Sequence, residues 1–341
     1  MNKLYLLVML MIFANLVAPA KIVPLPDLLK PETITIDREH IYITEGAAIY
    51  IYTKNNMALL KKFGKAGEGP QEFRIYPAGS EPVMPASDSI LVNSIGKLSY
   101  FTKNGAFIKE TKTKYPFARF KPLNEKFVGF GEAAENNIYY QTVNIFTPAL
   151  EIEKEIYKRK DWAQEGKTGN KVVDAGGAVV NCFSGKIFIG DRQEDTIFVF
   201  NKEGEKIYSI THDDDRVKVT QDHKNRYHDY YKNHPFFKSV YNEYKKTFVF
   251  PAYFPGIRDF TIDTEEEKIY VLTFMSKKSK SKFVVFDIKG KLLQKVFLPF
   301  KDVNIQKPCP YSINSGKLYQ VIENDESEKC ELHIIDIAGL K

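Results

Sequence analysis

The stretch Ile197-Phe198-Val199-Phe200-Asn201-Lys202-Glu203-Gly204 holds the pattern that decides the fold. An apolar, aromatic-rich run of strand length ends at a polar turn. The turn opens with a residue whose side chain can bond the turn backbone, and it closes with glycine, which tolerates positive φ. The same grammar recurs as Thr53-Lys54-Asn55-Asn56, Thr102-Lys103-Asn104-Gly105, Asp287-Ile288-Lys289-Gly290 and Asp336-Ile337-Ala338-Gly339. Each turn follows an apolar run: Ile49 to Tyr52, Leu98 to Phe101, Phe283 to Phe286 and Leu332 to Ile335. A further run, Ile138 to Val143, is followed by the Pro-containing corner Phe146-Thr147-Pro148-Ala149, so the third unit departs from the turn pattern.

Upstream of each run lies another short apolar strand. These begin at Ile41, Ile90, Phe127, Ile187, Ile269 and Leu318. Shorter extended runs precede them, as at Thr33 to Asp37, Ala178 to Cys182 and Ile257 to Asp263, and can serve as innermost strands. A unit of four strands takes about 40 to 50 residues in a propeller blade. The third-to-fourth and fourth-to-fifth intervals are longer and so carry insertions. Six units of four strands predict an all-β chain folded as a six-bladed β-propeller, with a short helical insertion between blades 4 and 5. The last unit stops just after its turn and lacks an outer strand. Residues 21–29 are unassigned, and docking them on Glu331 to Ile335 would close the ring and cover an open edge. Pro24 and Pro26 suit such an outermost strand.

With these units in view, the chain resembles bacterial six-bladed propellers of the NHL and TolB-like group. The specific element is Phe63-Gly64-Lys65-Ala66-Gly67-Glu68-Gly69-Pro70-Gln71-Glu72-Phe73, which resembles the Gly-rich link between one blade's outer strand and the next blade's inner strand. Phe250-Pro251-Ala252-Tyr253-Phe254-Pro255 is a weaker echo. The link does not follow phosphate-loop or dinucleotide grammar, and no helix pattern follows it. The resemblance implies a fold far more than an activity, because its members include binding scaffolds as well as lactonases and lyases.

The ends and composition set the address. Lys3, the apolar run Leu4 to Val17 and Ala18-Pro19-Ala20 read as a signal peptide, residues 1–20, cleaved after Ala20. The run is shorter than the about 20 residues that span a bilayer. The expected product, residues 21–341, is a single propeller, periplasmic or secreted and monomeric, with no integral membrane segment. Of 341 residues, 43% are apolar and 27% charged, which excludes a disordered tail and a polytopic membrane protein. The net charge of +6 is spread among 43 acids, so nucleic acid is not an expected partner. Three cysteines do not make a disulfide scaffold, and Cys309 and Cys330 would sit two strands apart, too far to bridge.

The longest interval holds the segment that breaks the β pattern, residues 211–247. Thr220 reads as the N-cap of a helix over Gln221 to Asn233. Pro235 could start a second helix, with Phe237, Val240, Tyr241 and Tyr244 as its apolar stripe. His223, Tyr227, His228, Tyr231 and His234 form a candidate ligand surface for a protein or glycan. The rival reading is that these rings glue the insertion to the disc. His223 and His228 are five apart, a poor spacing for a helical metal pair. Asp213-Asp214-Asp215 lacks the calcium-loop pattern and reads as a solvated turn. Trp162, in the other insertion beside Gly166, Gly169, Gly176 and Gly177, could be a ligand platform or could cover an apolar edge.

Two functions follow as expectations. One is a non-enzymatic exported binding or scaffold protein with no cofactor. The alternative, implied by the resemblance, is a divalent-metal hydrolase or lyase of the lactonase or amidating-lyase kind, with channel candidates Asp37, Asn181 and Asp263.

Overall fold

The computed structural model describes residues 20–74, 82–136, 138–160, 171–172, 177–211, 216–234, 237–304, 307–324 and 326–339. Residues 1–19, expected to belong to a signal peptide, and Trp162, Gly166, Gly169, Gly176, His212, Asp213 to Asp215 and Pro235 lie outside the described residues.

Six four-stranded antiparallel sheets form a six-bladed propeller. Blade 1 runs Thr33–Ile36, His40–Glu45, Ala48–Thr53 and Leu59–Phe63. Blade 2 runs Val83–Pro85, Ser89–Ser94, Lys97–Thr102 and Phe107–Lys112. Blade 3 runs Lys121–Leu123, Lys126–Glu135, Ile138–Phe146 and Ile152–Lys160. Blade 4 runs Val179–Phe183, Lys186–Asp191, Thr196–Phe200 and Lys206–Thr211. Blade 5 runs Asp259–Asp263, Lys268–Lys277, Lys280–Asp287 and Leu292–Pro299. Blade 6 takes three strands from the C-terminal end, Tyr311–Asn314, Lys317–Asn324 and Lys329–Asp336, and its fourth from the N-terminal end.

That fourth strand is Lys21–Leu25, antiparallel to Lys329–Asp336, with Lys21 opposite Ile334 and Leu25 opposite Cys330. Leu25 and Leu28 are buried with Ile34, Leu332 and Ile334 in the cluster between blades 6 and 1. The core is therefore not one mass. Six apolar clusters fill the six interfaces between neighbouring blades. A seventh lies under the helical insertion. Because sheet side chains alternate faces, the second strand of each blade contributes to the clusters on both sides.

The outer strands are edges, and lysines guard them. Lys62, Lys109, Lys158 and Lys206 each place an ammonium 4.3–4.7 Å from an aromatic ring on the neighbouring strand. Such cation–π contacts hold charge on the rim, where bare backbone would template aggregation.

The repeated turns are built as their residues require. Asn201 Oδ1 accepts from the amides of Glu203 and Glu205, and Asp287 Oδ1 accepts from those of Lys289 and Lys291. Gly105, Gly204 and Gly290 hold φ of +75°, +75° and +89°. The third unit is not an exception. Thr147 opens the same turn, accepting from the Leu150 amide at its carbonyl and from the Glu151 amide at Oγ1. Leu150 takes the left-handed position, at φ +62°. Its side chain is buried between blades 2 and 3, and this burial offsets backbone strain that glycine would avoid. In blade 1 the left-handed residue is Met57, one place after Asn56, whose side chain instead accepts from the amide of Ala58.

The Gly-rich link serves structure. Gly64 sits at φ +87°, and a Cβ there would collide with the carbonyl oxygen of Ala47 and the ring of Phe73. Lys65–Ala66 pairs with Glu72–Phe73 within the link, and Phe73 anchors the cluster between blades 1 and 2. Glu72 accepts from the Gly69 amide and pairs with Lys65.

In an up-and-down blade, the hairpin between the second and third strands lies at the opposite end from the other two hairpins. Blade-to-blade links share the end of that middle hairpin. The disc thus has a link face and a turn face. The insertion after Thr211 leads into Asp259 and belongs to the link face. Within it Phe248–Val249 pairs in parallel with Lys171–Val172 of the preceding link, so the two long insertions join.

Candidate functional site

Helix α1 (Gln221–Asn233) follows the N-cap Thr220. His223 completes a capping box. Its Nδ1 accepts from the Thr220 amide at 3.1 Å, while Thr220 Oγ1 accepts from the His223 amide. The His223 ring also packs edge-on against Phe254, at 4.9 Å. Tyr227 is fully buried in the cluster with Val219 and Phe254. His228 lies against Phe248 and Phe250, and its Nδ1 shares a hydrogen bond with the Tyr241 hydroxyl at 3.1 Å. Tyr231 packs on Phe237 and Phe248, each at 4.9 Å.

These four side chains anchor the insertion, and the glue reading describes them. The segment after Asn233 differs from the second helix expected from sequence. It holds one helical turn, Tyr241–Tyr244, and a 3₁₀ turn, Lys245–Thr247. Val240 is 42% exposed and lies outside the apolar contact, while Phe237 and Tyr244 stack within it.

His234 has another neighbourhood. It caps the end of α1, with its ring 5.2 Å from Tyr230 and 5.0 Å from Phe237. Together with Arg226, Asp229, Tyr230 and Asn233 it lines a groove of about 480 Å³, whose other wall is Val303 and Asn304. The spacing 226, 229, 230, 233 is one face of a helix, a different face from the one that carries Tyr227 and Tyr231. Ring and histidine density in the sequence marks mostly the other faces of the helix. Once α1 was placed, the position of its apolar residues implied which side stayed open. The loop wall, far away in sequence, carried no signal.

Burial holds the Tyr230 phenol above its ordinary range. A second crevice, about 380 Å³, lies between blades 5 and 6 against Phe300, Ile322 and Ile335.

The channel candidates do not converge. Asp263 accepts from the amides of Glu265 and Glu266 in its own hairpin and from those of Ser315 and Gly316 in blade 6. Asn181 accepts from Lys121 of blade 3 and donates to the carbonyl of Phe260 in blade 5, both at 3.0 Å. Asp37 accepts from Tyr42, from Lys103 of blade 2 and from the amides of Glu39 and His40. Each ties neighbouring blades. Among the described residues, no three of His, Cys, Asp or Glu are grouped to hold a metal ion. No disulfide joins Cys182, Cys309 or Cys330, and burial pushes the Cys182 thiol up to about 12.

Burial alone would raise the Asp37 carboxyl, but its hydrogen bonds from Lys103, Glu39 and His40 outweigh burial and hold it below the usual carboxylate range. The folded state therefore binds this proton less readily than the unfolded chain does. The stability it confers is complete above about pH 5 and is lost as pH falls through the folded value, below about pH 4. Thermal unfolding between pH 6 and pH 3 should show a shallower acid decline in Asp37→Asn than in the parent chain. Parallel curves would remove Asp37 from the account.

No family model matches the sequence, and no curated protein matches it. Among solved structures, the chain is similar to an exported protein of Bacteroides fragilis, at 11% identity and a TM-score of 0.54, covering 95% of this chain and 96% of that one. It is also similar to a member of the DUF4221 family from Bacteroides vulgatus, at 12% identity and a TM-score of 0.52, covering 94% and 96%. At such identities the likeness establishes the six-bladed fold alone.

Proposed function

We propose that the chain is an exported binding propeller that recognises a protein or glycan on its link face. The observation that carries this reading is the groove between α1 and the loop at Val303-Asn304. The described parts of the two insertions that are longer than a blade requires pair with each other on this face, through Lys171–Val172 and Phe248–Val249. Loops that vary on a rigid scaffold are where propellers place recognition. Export is supported by the leader pattern of residues 1–20, and no helix among the described residues is long and apolar enough to cross a membrane. The Gly-rich link and turn grammar support kinship with the NHL and TolB-like group. No observation favours the hydrolase or lyase reading, since Asp37, Asn181 and Asp263 are each engaged between blades.

The test is an array of peptides and oligosaccharides probed with the parent protein, with Tyr230→Ala, and with Lys202→Ala on the turn face. Signals should fall at least tenfold in Tyr230→Ala and persist in Lys202→Ala. Equal signals from all three proteins would refute the face assignment.

A further inference from the structure

Resting on the groove reading above, we infer that its ligand is a neutral oligosaccharide. Tyr230 supplies a platform that is already held in place. Its ring is half-buried, edge-on to Tyr231 at 5.2 Å and 87°, and braced by His234 at 5.2 Å. A fixed aromatic face suits the C–H face of a pyranose, because little side-chain freedom is lost on stacking.

Around this ring stand Arg226, Asp229 and Asn233. Among the described residues, none of the three side chains makes a hydrogen bond or ion pair within the chain. Elsewhere on the same helix, Gln221 bonds Asn225 and Lys224 lies over Phe250, so exposed polar groups on α1 do find partners where partners are near. A guanidinium, a carboxylate and a carboxamide are planar groups that can each engage two adjacent atoms. Together they offer donors and acceptors suited to the vicinal hydroxyls of a sugar.

The charges argue against other ligands. Arg226 and Asp229 cancel, so neither a polyanion nor a polycation is favoured. Among the described residues that line the groove, Val303 is the one aliphatic side chain, so they give an apolar peptide or a helix little to bury. Among the described residues the groove is bounded by helix α1 and a loop, and these offer no strand edge to which a peptide backbone could add. The groove, of about 480 Å³, is shallow and open to solvent, which leaves room for a few sugar rings of a longer chain to lie across it.

The experiment is titration calorimetry of the purified protein with cellohexaose, maltohexaose, xylohexaose, mannohexaose and chitohexaose, with oligogalacturonate and a random peptide library as comparators. At least one neutral hexaose should bind. Tyr230→Ala should weaken it by tenfold or more, and Asn233→Ala, at an exposed position that leaves the fold intact, by several-fold. Tyr230→Phe should retain most of the affinity, and the bound sugar should perturb the near-ultraviolet tyrosine spectrum. Failure of every neutral sugar, or binding indifferent to Tyr230→Ala and Asn233→Ala, overturns the sugar assignment. If peptides or oligogalacturonate bind in a Tyr230-dependent way while neutral sugars do not, the neutral-oligosaccharide assignment falls and the groove reading stands. If nothing binds in a Tyr230-dependent way, both fall.

Discussion

A chain that begins at Pro31 should unfold roughly 10 °C below the chain that begins at Lys21, and it should aggregate as it does so. The effect is large because the removed segment is structural on two counts. Lys21–Leu25 supplies the outer strand of blade 6, pairing with Cys330 to Ile334. Leu25 and Leu28 are each 2% exposed, and burying such a side chain contributes about 1.5–3 kcal/mol. Their loss also uncovers Leu332 and Ile334, which share their cluster. The bared edge then presents an apolar strand with unpaired amides and carbonyls. Scanning calorimetry with light scattering reads both effects. Coincident melting of the two chains would show that the ring does not depend on its N-terminal strand.

The second large effect is expected at Asp263. Its side chain is fully buried, and its two oxygens accept four backbone amides, two of them across the interface with blade 6. Asp263→Ala leaves the buried Gly316 amide without a partner and takes the acceptor from three part-buried amides, at a cost of about 3 kcal/mol. Asp263→Asn keeps the shape but turns an amide group toward at least one donor, so it should recover only part of the loss. Chemical denaturation of the three proteins measures the order: parent, then Asn, then Ala. An alanine variant as stable as the parent would mean that the inter-blade tie adds nothing to cohesion.

The fold was legible because its grammar repeats. Local turn chemistry at Asn201, Asp287 and Thr102 is a short-range matter, and short-range rules can be read from a string. The same rules missed the turn at Thr147, because Leu150 fills the place of glycine and its reason for being there is burial against a neighbouring blade. The inner strands Val83–Pro85 and Lys121–Leu123 are three residues long and contain proline, too little pattern to stand out.

Helix α1 was legible to the residue, since Thr220 caps it and Asn233 precedes His234. The proposed binding face was less so. Aromatic and histidine density points to the insertion but mostly to its inward side, because rings collect where an insertion must adhere to its scaffold. Arg226, Asp229, Tyr230 and Asn233 became a set only when the loop at Val303 closed a groove over them. That juxtaposition is tertiary.

The central claim is that recognition takes place on the link face, in the groove beside α1. Hydrogen exchange followed by mass spectrometry, with and without a saturating oligosaccharide or peptide ligand from the arrays, tests it directly. The account predicts that added protection is confined to segments containing residues 226–234 and 301–304. Protection confined to the turn-face hairpins at 201–204 and 287–290, or to the innermost strands of the channel, would contradict it.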